Sequence, residues 1–170
     1  AVRKISGMRM ILSGGSASSS ELETLVGYCE GDRSIEFTGP YDYEKDIADI
    51  YGRFDCVWAV YDSANPNVRV ALPNKLYESV SCGLPLIVAR GTYLAEIVEK
   101  AGIGIAVDSN SSESIYSALL LMWERGPRYA EMCNACNRAK DELCDLSALN
   151  GLPETLGSLL DISENGSPDE

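Results

Sequence analysis

Four apolar residues, Leu86-Ile87-Val88-Ala89, follow Gly83-Leu84-Pro85 without a polar residue between them. A strand wet on one face alternates apolar and polar residues; an unbroken run predicts a strand covered on both faces, as in a parallel sheet packed between helices. The stretch before it has helical spacing. Pro73 suits a first helical position, where a missing N–H costs nothing. Leu76, Tyr77 and Val80 give an apolar side, and Gly83 followed by Pro85 ends the helix. Lys75 and Glu78 lie one turn apart and share a face. The start of this helix offers free N–H groups and a positive dipole end, suited to an anion.

The same punctuation recurs along the chain. Strands are expected at Met8–Leu12, Ser34–Thr38, Cys56–Tyr61, Leu86–Ala89 and Gly104–Val107. Helices fall between them. One follows Ser13-Gly14-Gly15-Ser16, capped by Ser18 or Ser20 with Glu21 or Glu23, and has Leu22, Leu25 and Val26 on its inner face. One spans about 43–53, with Ile47, Ile50 and Tyr51 inward. Thr92 caps another, which Gly102 stops; Ser111 or Ser112 starts an apolar helix through Trp123; Gly126-Pro127 precedes a long helix to about Cys144. Asp62–Leu72 is expected to be the longest loop. Strand and helix alternate with short connections, which implies right-handed βαβ units. The fold class is therefore α/β: a Rossmann-like, doubly wound parallel sheet with helices on both faces. Its ligands belong beyond the carboxyl ends of the strands, in the loops 13–17, 39–42, 62–72, 90–92 and 108–111.

Composition narrows the partners. At 170 residues the chain forms one domain: 1–145 the α/β unit, 146–160 a helical segment (a weaker helix over 153–160) and 161–170 an acidic tail expected to be disordered. The first residues, Ala1 to Ser6, resemble a cut inside a longer chain. The net charge is −12, with 26 acids against 14 bases, which argues against nucleic acid and anionic membrane surfaces as partners. No run approaches the ~20 apolar residues that cross a bilayer. There is no histidine, hence neither the commonest general base nor the commonest metal ligand. Of six cysteines, Cys56 and Cys82 are expected in the core. Cys133 and Cys136 have C-x-x-C spacing, but Tyr129, Met132, Cys133, Cys136, Ala139 and Leu143 form one helical stripe, so packing is preferred over zinc. Unpaired, buried cysteines fit a reducing compartment, the cytoplasm.

The residues that carry chemistry converge on the opening stretch. Glu78 can accept two hydrogen bonds from adjacent ribose hydroxyls, as the acidic residue of dinucleotide folds does; a surface glutamate paired with Lys75 is the plain alternative. Lys75, Arg69 and Arg90 are candidates to neutralise a diphosphate, or are ordinary solvated bases. Gly14 and Gly15 let backbone approach a ligand, though no Walker lysine follows. Tyr41 and Tyr43 suit stacking on a base or half-buried packing. No nucleophile–base pair stands out, so the catalytic residues are not identified.

Pro73-Asn74-Lys75-Leu76-Tyr77-Glu78-Ser79, followed by Cys82-Gly83 and Pro85-Leu86-Ile87, resembles the nucleotide-sugar motif of the group-1 retaining glycosyltransferases of the GT-B fold. Ile11-Leu12-Ser13-Gly14-Gly15, Ile35–Pro40, Asp46–Asp55, Leu94–Glu99 and Gly102-Ile103-Gly104 are similar to the family in the same order, over about residues 8–125. The resemblance implies the C-terminal, donor-binding half of such an enzyme, inactive without the absent acceptor-binding N-terminal half. It implies Glu78 on the donor ribose, Asn74 and Lys75 at the diphosphate, and Tyr41 beside the nucleobase. Arg69, Gly14 and Gly15 complete the expected donor-binding set. No metal and no cofactor are expected, the donor being a UDP- or GDP-linked sugar. The product is expected in polysaccharide or glycoconjugate synthesis, with a membrane-associated acceptor at the inner face of the membrane reached through the absent half.

Three departures accompany the resemblance. The family's second glutamate falls at Val70; Arg3 and Lys4 do not match its diphosphate-gripping bases; and its opening, central strand is missing, for which a neighbouring chain, altered pairing or a short strand near Val2–Ile5 are the candidate substitutes. The alternatives are a nucleotide-sugar epimerase of the same fold and a non-catalytic binding or interaction module. A receiver-like domain fits less well, because the acids after the first strand are absent.

Overall fold

The computed structural model describes residues 1–15 and 19–144. The segments expected over 146–160 and 161–170 lie outside the described residues. After a 3-10 turn, Val2–Lys4, the order is β1 (Met10–Ser13), α1 (Ser19–Cys29), β2 (Ile35–Gly39), α2 (Tyr43–Tyr51), β3 (Val57–Ala59), α3 (Pro66–Val70), α4 (Asn74–Ser81), β4 (Leu86–Ala89), α5 (Tyr93–Ala101), β5 (Gly104–Val107), α6 (Ser112–Glu124) and α7 (Pro127–Cys144). All strand pairings are parallel.

The core sits on the two faces of β4, whose four residues are all buried. On one face Leu76, Val80, Leu86, Val88, Val98 and Cys136 join α4, α5 and α7. On the other, Ile5, Ile87, Leu119, Met122 and Met132 join the chain start, α6 and α7. Two glycines are required by this packing. A Cβ on Gly104 would stand 2.1 Å from the Leu86 oxygen, and Gly83, at φ +70°, lies where a Cβ would meet Asn137 Oδ1 at 2.8 Å. The caps follow the side chains: the Thr92 hydroxyl accepts from Ala95 N–H and the Ser111 hydroxyl from Ser114 N–H.

The sheet is not continuous. β1–β2 and β3–β4–β5 form two separate parallel sheets. Met10 N–H donates to Ser34 O (2.8 Å) and Val57 N–H to Pro85 O (2.9 Å). Main-chain groups alternate sides along a strand, so Ile11 and Trp58 turn theirs away from β2 and β4. Both line a cavity that also reaches Met122 and Trp123. The stretch near Val2–Ile5 does not become a strand that fills this break. It forms the 3-10 turn, held by Lys4 N–H to Ala1 O, with Ile5 driven into the core.

Other expectations need correction. Leu25 and Val26 of α1 are 44% and 41% exposed rather than inward, because β1 and β2 are themselves only half-buried and offer no finished face. The expected 62–72 loop contains α3, started by Asn65, whose side chain accepts from Asn67 N–H, and by Pro66 at the first helical position. Pro73 is the N-cap of α4 rather than its first residue. Cys82, at the C-terminal cap of α4, is exposed rather than core.

Candidate donor-binding site

The α4 helix builds the centre of the site. Its inner face buries Leu76, Ser79 and Val80, and 3.6-residue periodicity then turns Lys75 and Glu78 to the opposite side. Asn74, Lys75 and Glu78 all line one end of the same cavity, about 720 Å³ in all, that opens at the break between the two sheets. The helix has no acidic residue in its first turn, so the positive dipole end is not offset there. Asn74 and Lys75 have no helical carbonyl four residues back, which leaves their N–H groups available to an anion.

Glu78 does not form an ion pair with Lys75. Its two carboxylate oxygens each accept a phenol: Tyr43 Oη at 2.7 Å from Oε1 and Tyr51 Oη at 2.5 Å from Oε2. These are short, charge-assisted bonds. The Tyr43 phenol pKa is raised, first by its bond to Glu78 and then by desolvation; that of Tyr51 is raised by burial first and by Glu78 second. Both therefore remain neutral donors at ordinary pH.

Lys75 Nζ donates to Trp58 O at 3.2 Å and stands 5.6 Å from the Tyr61 ring centroid. The residue as a whole is exposed, but its ammonium is tucked under the ring. Desolvation lowers its pKa, and the Glu78 charge opposes that shift.

Tyr41 lines the same cavity. Gly14, at φ +126°, sits behind it, with the Tyr41 ring 3.9 Å from a hypothetical Cβ; Gly15 lies against Pro40 in the same way. Neither glycine lines the cavity. Arg69, exposed on the last turn of α3, does not line it either. Arg90 donates to Ala106 O at 3.2 Å and serves the sheet. Val70 is 71% exposed. The structure thus brings Glu78, Lys75, Asn74 and Tyr41 to one cavity, keeps Gly14 and Gly15 at its edge, and leaves Arg69 outside.

The tyrosines on Glu78 are what sequence reasoning missed. Tyr43, Ile47 and Tyr51 are spaced i, i+4, i+8 on α2, so one helical face presents two phenols and an apolar residue. Tyr51 is inward as expected, but its hydroxyl belongs to the site.

Among the described residues no group of three or more His, Cys, Asp or Glu side chains is placed to hold a metal. Cys136 is fully buried and donates to Leu84 O, consistent with packing. No described helix is long and apolar enough to cross a membrane.

The fold and the sequence can be set beside those of known proteins. The succinoglycan biosynthesis protein ExoL of Rhizobium meliloti (strain 1021) is 30% identical over 118 residues, covering 69% of this chain and 29% of ExoL. The Anabaena HepE structure in complex with UDP has a TM-score of 0.68 at 19% identity, over 89% of this chain and 41% of HepE. A structure ascribed to a UDP-N-acetylglucosamine 2-epimerase of Listeria monocytogenes has a TM-score of 0.64 at 15% identity, over 92% of this chain and 38% of that one. The chain therefore spans well under half the length of each of these proteins. The two structural likenesses establish the Rossmann-like fold of a GT-B half. The profile of the family described as "Glycosyl transferases group 1" matches residues 1–125, and the chain belongs to that family.

Proposed function

We propose that the chain is the donor-binding domain of a glycosyltransferase that moves a sugar from a nucleotide-diphosphate donor to an acceptor in polysaccharide or glycoconjugate synthesis. The observation that carries this is the placement of Glu78, Lys75 and the start of α4 on one cavity. An acceptor-only carboxylate suits a vicinal diol. A helix start with a lysine suits a diphosphate about one turn away. In this reading Glu78 holds the ribose, Asn74 and Lys75 face the diphosphate, and Tyr41 lies beside the base. No metal is needed, because N–H groups and the ammonium meet the charge. HepE, which shares the fold, has been seen with UDP and with UDP-glucose, and ExoL is named for succinoglycan biosynthesis; both support the assignment. Sugar transfer itself requires an acceptor-binding half across the cleft. A cytoplasmic setting, at the inner face of the membrane in the full-length protein, goes with a lipid-borne acceptor.

Calorimetry with UDP, GDP and the two nucleosides tests the donor reading. Binding of at least one diphosphate, weakened about tenfold or more by Glu78→Ala, is expected; a hydrogen-bonded charged contact of roughly 1.5–3 kcal/mol implies that scale. Unchanged affinity in Glu78→Ala would sink it. The second reading is a nucleotide-sugar epimerase, favoured by the fold shared with the Listeria structure. Product analysis on the full-length protein separates the two: an epimerase converts donor without an acceptor, and a transferase releases nucleoside diphosphate only when one is supplied.

A further inference from the structure

The two phenols on Glu78 are not equivalent. Tyr51 is 5% exposed, lies on the last turn of α2 and packs against Phe54, with ring centroids 5.6 Å apart. Its ring belongs to the core around Leu76 and Val80, so its hydroxyl cannot leave Oε2 without disturbing packed side chains. Tyr43 is the first residue of α2 and is 50% exposed. Only its hydroxyl bond ties it to Glu78, and a rotamer change would release it into water.

A carboxylate oxygen has two lone-pair directions. Tyr51 on Oε2 and Tyr43 on Oε1 take one direction on each. A vicinal diol donates one O–H to each oxygen, in the plane of the carboxylate. The buried Tyr51 fixes that plane. Tyr43 and Tyr51 both line the cavity with Glu78, but only Tyr43 is exposed, so its bond to Oε1 is the one that an incoming hydroxyl can replace.

We propose that Tyr51 is a positioning residue that holds the Glu78 carboxylate for a vicinal diol, and that Tyr43 is a place-holder whose hydroxyl yields to one hydroxyl of that diol. The proposal rests on the donor-binding reading given above. It makes the site selective for ribonucleotides through the orientation that Tyr51 gives to the Glu78 carboxylate. It also makes the unliganded site self-satisfied, so that Glu78 is not left facing the cavity without a donor.

The experiment is calorimetry of the full chain with UDP, GDP and their 2′-deoxy counterparts, on wild type, Glu78→Ala, Tyr51→Phe and Tyr43→Phe. Tyr51→Phe keeps the ring and its packing. It is expected to weaken the preferred diphosphate about tenfold, the scale of one charge-assisted bond, and to shrink the ratio of ribo to 2′-deoxy affinity. A purely structural role would lower both affinities alike and leave that ratio unmoved. Tyr43→Phe removes a competitor and is expected to leave affinity unchanged or raise it, by up to about threefold. Tyr51→Phe with wild-type affinity and ratio, alongside a weakened Glu78→Ala, overturns the positioning role while leaving the donor reading intact. Tyr43→Phe as damaging as Tyr51→Phe overturns the place-holder. Unchanged affinity in Glu78→Ala, or no binding by wild type, overturns the donor reading and this proposal with it. Should Tyr51→Phe fail to fold, tyrosine ring-carbon NMR of wild type decides: saturation with the diphosphate is expected to shift the Tyr43 Cζ signal and not that of Tyr51, and the reverse overturns the assignment.

Discussion

Lys75 places its ammonium 3.2 Å from the carbonyl oxygen of Trp58, on β3, and not on Glu78 one helical turn away. The Trp58 carbonyl faces away from β4 because Val57 takes the pairing with Pro85. The lysine therefore meets an acceptor exposed by the break between the two sheets. A neutral carbonyl leaves most of the cation's charge available to an anion.

Replacing Lys75 by Met keeps an unbranched side chain and removes the ammonium that stands over the Tyr61 ring. About tenfold weaker binding of UDP or GDP is expected, as for loss of one bond to a charged group of roughly 1.5 kcal/mol. Binding of the corresponding nucleoside should change less than about twofold. Equal losses for nucleoside and diphosphate, measured by calorimetry, would show that the ammonium does not serve the phosphates.

Gly83 separates α4 from β4 in a conformation that disfavours a side chain. Its φ of +70° disfavours any L-residue, and an added Cβ would lie 2.8 Å from Asn137 Oδ1 on α7. Gly83→Ala is expected to cost about 1–2 kcal/mol from the backbone alone. Combining it with Asn137→Ala should recover only the contact, not the backbone cost. Urea unfolding of the three variants checks this; full recovery in the double variant would assign the whole effect to the contact.

The legible parts of this fold were those with local punctuation. β4 and β5 match expectation residue for residue, because their apolar runs begin just after the breaks at Gly83-Leu84-Pro85 and Gly102. α5 matches because Thr92 and Gly102 mark both its ends. α3 was missed although Asn65-Pro66 is a start signal; its five residues are too few to show periodicity. α1 has an apolar stripe, yet whether a stripe is covered depends on the partner, and β1 and β2 supply none. In the site, the spacing of Lys75 and Glu78 correctly put both on one face. Tyr51 illustrates the limit: apolar spacing sends its ring inward, but only the three-dimensional approach of α2 to α4 reveals that its hydroxyl reaches Glu78.

The cysteines separate by burial. Cys136 has no exposed surface, and burial pushes its thiol up to about 12; desolvation does the same for Cys56. Since the thiolate is the reactive form, both should react with iodoacetamide at pH 8 more than tenfold slower than the exposed Cys82. Peptide mapping of the native protein measures this, and denaturant should erase the difference. Rapid native labelling of Cys136 would contradict its placement under α4 and Leu84.

Asp32 fastens the chain start to the edge of the β1–β2 sheet. Its carboxylate accepts from the Ser34 hydroxyl at 2.7 Å and the Ser34 N–H at 2.9 Å, and pairs with Arg3. The Ser34 bonds are the main reason its pKa falls from an ordinary 3.8 to about 2, with Arg3 adding to them. A carboxyl group depressed in the folded state favours folding above its unfolded pKa and loses that contribution as pH falls. The window is therefore about pH 4 down to 2. Glu36, held low first by Arg53, acts with the same sign, so a part of the acid sensitivity will survive any change at Asp32. Asp32→Asn is expected to lower the melting temperature at pH 7 and to flatten the fall between pH 4 and 2.5 relative to wild type. Thermal unfolding at several pH values decides the matter: parallel curves for the two proteins would mean that the Asp32 charge contributes nothing to holding Arg3 and Ser34 together.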